Sequence, residues 1–293
     1  MANRIKDYLF KNKTDGEFTS LSLPRKRKDV FFRLFRYSFG KLIMLSLFTT
    51  IFFVLTFVWR VVFDTFLLKL DSGSEDYFNR FFTLNVYYSL PIRLFSNAIA
   101  FLGLAGLFYS IRILCWGMPY KLTYTFFRGI KLSYKEYLFG SLIYTVASTL
   151  YTLSFKYYSL HLFDNILVNI LMYSLLVISI IIVLMMLMYS LTMSSLYNMK
   201  FTTKVKYCFI LSIKYYFKNL GILCLSLAIF MVPFIIKNVL FELVSIGLLV
   251  LIGFVYITLI VVLYTNSIYD IHINKSDYDE YYRKGLYRGD IDA

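Results

Sequence analysis

Histidine and cysteine are scarce in this 293-residue chain, with two and three copies respectively. His161 and His272 are far apart, and Cys115, Cys208 and Cys224 form no CxxC pair. That spacing supports neither a structural zinc site nor a disulfide framework. The cysteines read instead as small buried apolar residues. Glycine (13) and proline (4) are also few. No GxxxxGK[ST] loop, HExxH helix or GxSxG elbow occurs, so phosphate-loop, zinc-hydrolase and serine-hydrolase chemistry have no residues to rest on. In the tail, carboxylates come together at Asp277, Asp279 and Glu280, where a solvated face is the simplest reading. The expectation is a non-enzymatic chain with no cofactor and no bound metal.

What the chain has in excess is apolar length. Hydrophobic residues make up 59% and aromatics 20%, whereas soluble domains average about 45–50% apolar. Six stretches carry the surplus: Leu42–Trp59, Leu94–Cys115, Tyr137–Phe155, Ile166–Leu191, Asn219–Ile236 and Val239–Tyr264. A helix needs about 20 such residues to cross a bilayer. The predicted fold is all-α: a polytopic membrane protein with six transmembrane helices. Residues 1–41 form a basic N-terminal segment, 42–264 the membrane domain and 265–293 a C-terminal tail. The first apolar run follows a long charged segment and reads as an anchoring helix rather than a cleaved leader.

Charge sets the expected orientation. Residues 1–41 hold eleven Lys and Arg against four acids, a net of +7. Successive connections then carry 0 (60–93), +3 (116–136), 0 (156–165) and +5 (193–218). Basic excess in every second connection places both termini and the 116–136 and 193–218 segments in the cytoplasm of a plasma-membrane protein. The overall charge of +14 fits anionic lipid headgroups as partners, and nucleic acid is not expected because little soluble mass could present a groove.

The basic connections are aromatic-rich and contain few helix breakers, so short cytoplasmic amphipathic helices are expected. On a helix, Lys200, Lys204, Lys214 and Lys218 fall within roughly 80° of one another, with Val205, Phe209, Ile210 and Ile213 largely elsewhere. That is the pattern of a helix lying in the membrane interface. A lysine-tipped extension of the next span fits it too. Gly117 and Pro119 should stop the second helix and aim Tyr120, Tyr124 and Arg128 at the cytoplasm or the interface. Asn97 and Asn169 are the notable amides within the spans, and an interhelical hydrogen bond is the expected role for each. Lys237 and Glu242 are close enough in sequence to pair. The first helix could continue past Arg60 as far as the breaker at Asp71–Ser74. The tail reads as a short amphipathic helix or as disordered.

Three stretches carry a resemblance: Val30-Phe-Phe-Arg-Leu-Phe-Arg-Tyr, Gly117-Met-Pro-Tyr-Lys-Leu-Thr-Tyr-Thr-Phe-Phe-Arg, and Ile213-Lys-Tyr-Tyr-Phe-Lys-Asn-Leu. The chain resembles the YesL-like bacterial membrane proteins over nearly its whole length, although Met118 interrupts the Gly-Pro turn usual in that group. The resemblance implies six helices, no catalytic residue and no cofactor. It also implies an accessory or regulatory role in carbohydrate uptake, with an ABC permease or a sensor complex as partner. The alternative is a stand-alone carrier or channel for a small uncharged solute, its path lined by Asn97 and Asn169.

Overall fold

A computed structural model describes residues 23–68, 70, 76–161, 164–235 and 239–287. The expected break at Asp71–Ser74 and the expected Lys237–Glu242 pair lie outside the residues and side chains described. Among the described residues the chain is helical, with no strand. The helices are α1 (Arg27–Tyr37), α2 (Phe39–Leu68), α3 (Tyr77–Thr83), α4 (Leu90–Cys115), α5 (Leu122–Leu160), α6 (Ile166–Leu196), α7 (Phe201–Lys214), α8 (Tyr216–Ile235), α9 (Val239–Leu248), α10 (Phe254–Tyr269) and the single turn α11 (Lys275–Asp277).

The burial pattern is that of a multi-pass membrane protein. Ser46, Thr49, Ser96, Asn97, Thr145 and Thr149 are buried, while Ile51, Ile166, Leu167, Ile170 and Leu175 are exposed. A soluble fold does the reverse. In lipid the arrangement is stable, because hydrocarbon tails satisfy the leucines and the hydroxyls find carbonyls inside. Thr145 and Thr149, for example, donate to Ser141 O and Thr145 O, each at 2.7 Å.

Five helices are long and apolar enough to cross a membrane, or six if one bent pair is a single span. The bent pair departs from expectation. Tyr216–Ala228 meets the requirement only together with α7, from which it turns by 90°. The remaining spans are longer than their apolar cores. The first runs to Leu67, and the second is helical from Tyr77 to Cys115. Most of the connection at 60–93 is therefore helix.

Pro91 explains an irregularity in that second span. It has no N–H to continue the ladder, and its ring crowds the carbonyl four residues back. The chain widens into a π-helical segment at Leu84–Ser89 immediately before it. A second π segment, Leu249–Gly253, frees carbonyls in the same way. Ser46 Oγ takes up one of them, donating to Val250 O at 2.9 Å.

The chain falls into two compact units. One comprises residues 1–50, 106–131 and 221–293. In it, α1 packs on α10, and Gly106 admits the Phe126 ring so closely that an added Cβ would stand 2.6 Å from it. The other comprises residues 51–105 and 132–220. In it α6 packs extensively on α7, and Tyr137 Oη joins α5 to α6 by donating to Leu191 O at 2.7 Å.

Candidate functional site

In the first unit the second span ends in a complete Schellman turn. The Gly117 N–H donates to Leu114 O and the Met118 N–H to Ile113 O, both at 3.1 Å. Gly117 sits at φ +68°, with nothing near its missing Cβ. The glycine is there for its backbone conformation, as the sequence predicts. Pro119 follows and is exposed.

The tail folds back over this turn. Asp270, only 8% exposed, is the hub. One carboxylate oxygen accepts from Arg27 Nη2 at 2.7 Å; the other accepts from Asn274 Nδ2 at 2.8 Å and from the Arg283 N–H at 3.1 Å. Arg27 Nη1 donates onward to Lys284 O at 3.1 Å. The Tyr287 N–H reaches Pro24 O at 3.0 Å. Trp116 stacks on Tyr281 with centroids 5.7 Å apart, and the cations of Arg112 and Lys284 lie 4.9 and 4.5 Å from its ring centre. Burial, and then a hydrogen bond to Glu280, hold the Tyr281 phenol above its ordinary value. The tail through Tyr287 is thus an ordered strap joining α1 to the turn, more definite than the sequence led one to expect.

The three aromatic and basic side chains predicted for the turn divide. Tyr124 is 63% exposed and Arg128 is exposed beside it, the guanidinium 5.9 Å from the ring centre. Phe127 extends this surface. Tyr120 does not belong to it. It is half-buried, and burial pushes its phenol up, with only the Ser110 hydroxyl opposing. Tyr120 packs into the turn instead of reaching out from it.

In the second unit, the single helix expected over Lys200–Lys218 is divided: α7 ends at Lys214 and Lys218 lies on α8, beyond the 90° bend, and the four lysines are not equivalent. Lys200, Lys214 and Lys218 are exposed. Lys204 is 4% exposed and bonded to both Glu136 carboxylate oxygens, at 2.7 and 2.6 Å. Cys208, Leu211 and Ser212 share its buried face, whereas Phe201, Val205, Phe209, Ile210 and Ile213 are exposed. Lys204 is therefore removed from the lipid-contact set: it fixes the rotation of α7. Cys115 and Cys208 are buried as expected, whereas Cys224 is exposed.

Asn219 closes the corner between α7 and α8. Its amide donates to Leu211 O and Ser212 O at 3.2 Å, satisfying carbonyls that a helix end leaves open. Its oxygen accepts from Tyr189 Oη at 2.7 Å. Asn97, expected to bond between helices, donates to Thr145 Oγ1 at 2.9 Å. Asn169 is half-buried in the first turn of α6, where its own N–H caps back to Asn165 O.

Neither Asp270 nor Gly285 is singled out by sequence pattern. The available signals were the i, i+4 spacing of Asp270 and Asn274 and the Arg-Lys-Gly run at 283–285. Among the described residues no group of three or more His, Cys, Asp or Glu could hold a metal. No family model, curated protein or solved structure matches the chain.

Proposed function

We propose that the chain is a non-enzymatic, multi-pass protein of the plasma membrane that works through contact surfaces, as an accessory or regulatory component of a larger membrane assembly. The observation that carries this reading is the exposed set Tyr124, Phe127 and Arg128 on a helix start whose preceding turn is strapped by Asp270, Arg27 and Gly285. Aromatic and arginine side chains held on a rigid base are the usual anchors of protein interfaces. Both termini are placed in the cytoplasm by the alternating basic excess. The strap agrees with that, since it gathers the N-terminal segment, the 116–120 turn and the tail into one cluster. The exposed apolar face of α7, flanked by Lys200 and Lys214, suits an anionic leaflet.

The assignment to carbohydrate uptake, with an ABC permease or sensor complex as partner, rests on the resemblance to the YesL-like proteins. Co-purification after mild solubilisation tests it, with a photo-crosslinker in place of Tyr124. Recovery of a permease subunit is the expected result. Solute transport by the protein alone in proteoliposomes would replace this reading with the carrier.

A further inference from the structure

The second span, Tyr77–Cys115, carries three arginines, Arg80, Arg93 and Arg112, of which Arg93 lies farthest from both ends. Arg93 lies two residues after Pro91 in α4, a little beyond the π segment. It is half-buried in the second unit. Its guanidinium Nη2 donates to Thr149 Oγ1 on α5 at 3.0 Å, and its carbon sits 5.9 Å from the centre of the Phe63 ring on α2. Its Nε is buried and has no acceptor. Among the described residues no carboxylate pairs with it. Tyr144 and a second cation, Arg60, act on it electrostatically, and the Arg60 Nε is itself engaged by Asp64 at 3.0 Å.

A guanidinium offers five donors in a planar fork. Thr149 takes one from Nη2, and the buried Nε has no acceptor among the described residues. Leaving buried charged donors unmatched costs free energy, so such a group within a span marks a site that is completed by something else. The depth is defined too. Trp59 Nε1 donates to Ser89 Oγ at 3.2 Å, one turn before Arg93 on the same helix. Tryptophan prefers the level of the headgroups, and an arginine one turn deeper can reach that level along its own side chain. A π segment immediately upstream is a further mark, since such segments concentrate at functional positions.

We propose that Arg93, with Thr149 orienting its guanidinium and Arg60 adding positive potential, binds a phosphate oxyanion on the non-cytoplasmic side of the protein. The planar fork matches two phosphate oxygens at once, which a lysine would not do. The oxyanion is either the phosphodiester of a phospholipid or free phosphate, and the experiment separates them. This site is independent of the Tyr124–Arg128 contact surface.

The test uses delipidated full-chain protein in a neutral detergent and phosphate-free buffer. Phosphatidylglycerol, diacylglycerol and inorganic phosphate are titrated separately, and bound ligand is read by native mass spectrometry and calorimetry. Wild type is expected to take up phosphatidylglycerol or inorganic phosphate but not diacylglycerol. Arg93→Gln should weaken that binding at least about tenfold, the size of one charge-assisted pair. Lipid uptake without phosphate uptake identifies the phosphodiester as the ligand, and the reverse identifies the free ion. Equal binding by wild type and Arg93→Gln, or no binding of either phosphate ligand by wild type, overturns the proposal. If Arg93→Gln is not monodisperse, the double variant Arg60→Gln with Thr149→Val replaces it. A loss of about threefold or more supports the site, and unchanged binding overturns it.

Discussion

A Cβ added to Gly285 would stand 2.5 Å from the carbonyl oxygen of Cys115 and 2.9 Å from Trp116 Cα. Both obstacles are backbone, so neither can swing aside. Gly285 also sits at φ +80°, where side chains are strained. Gly285→Ala should therefore cost the strap about 1–3 kcal/mol. The expected readout is faster hydrogen exchange over residues 278–287, with expression and helix content unchanged. Unaltered exchange would show that the strap does not depend on this contact.

The Arg27–Asp270 pair holds the same strap from the other side, each side chain being 11% exposed. Asp270→Asn leaves the Arg27 cation buried without its counter-charge. Breaking a pair of this kind costs about 3–5 kcal/mol. Amide exchange in the tail should accelerate by roughly a hundredfold or more, at about 1.4 kcal/mol per factor of ten. Exchange at the wild-type rate would show that the pair holds nothing in place.

Along α7 and the start of α8 the lysines should separate by role. Lys204→Ala strips the buried partner from Glu136 and should lower thermal stability in detergent. Lys214→Ala with Lys218→Ala should leave the melting curve in place and weaken association with anionic lipid, each lysine contributing about 1 kcal/mol at such a surface. A bimane probe at Phe209→Cys, in a background lacking the three native cysteines, checks the face. Quenching by a lipid-borne nitroxide rather than by aqueous iodide is the expected pattern, and the opposite preference places that face in water.

Asn219→Ala removes two hydrogen bonds to the end of α7 and one from Tyr189. Each buried group left unmatched costs about 1–3 kcal/mol. Loss of the corner should be visible as a changed spin-label distance between positions 202 and 218, both in the second unit. An unchanged distance would assign the corner to packing alone.

Orientation is open to direct chemistry. Single cysteines in place of Ser74 and Lys131, labelled in intact cells, should react rapidly at the first and be protected at the second. Reversal of that pattern inverts the topology. For the contact surface, Tyr124→Ala with Arg128→Ala should abolish capture of the partner without altering abundance. A fall in abundance alone would make the surface structural.

Some of this protein is determined by local sequence. Apolar runs of spanning length require helices in a membrane, because a backbone in hydrocarbon must satisfy itself. Gly117 followed by Pro119 suffices to end a helix, since φ +68° and a missing N–H are properties of those residues alone. The amphipathic pattern after Lys200 likewise specifies a helix with an apolar face over Phe201–Lys214, but not the bend that carries Lys218 onto α8. Tertiary structure decided which groups are satisfied by whom. Lys204 belongs to the basic stripe by angle, and only the approach of Glu136 from α5 makes it a buried pair. Asp270 and Arg27 are separated by 243 positions, and no local pattern links them. The polar tail is ordered because Gly285 fits against Cys115, and Arg93 is held by Thr149 from α5 while its buried Nε has no acceptor among the described residues. Helix formation follows from short-range backbone and solvent terms, whereas burial of a charge depends on which distant segment arrives to receive it.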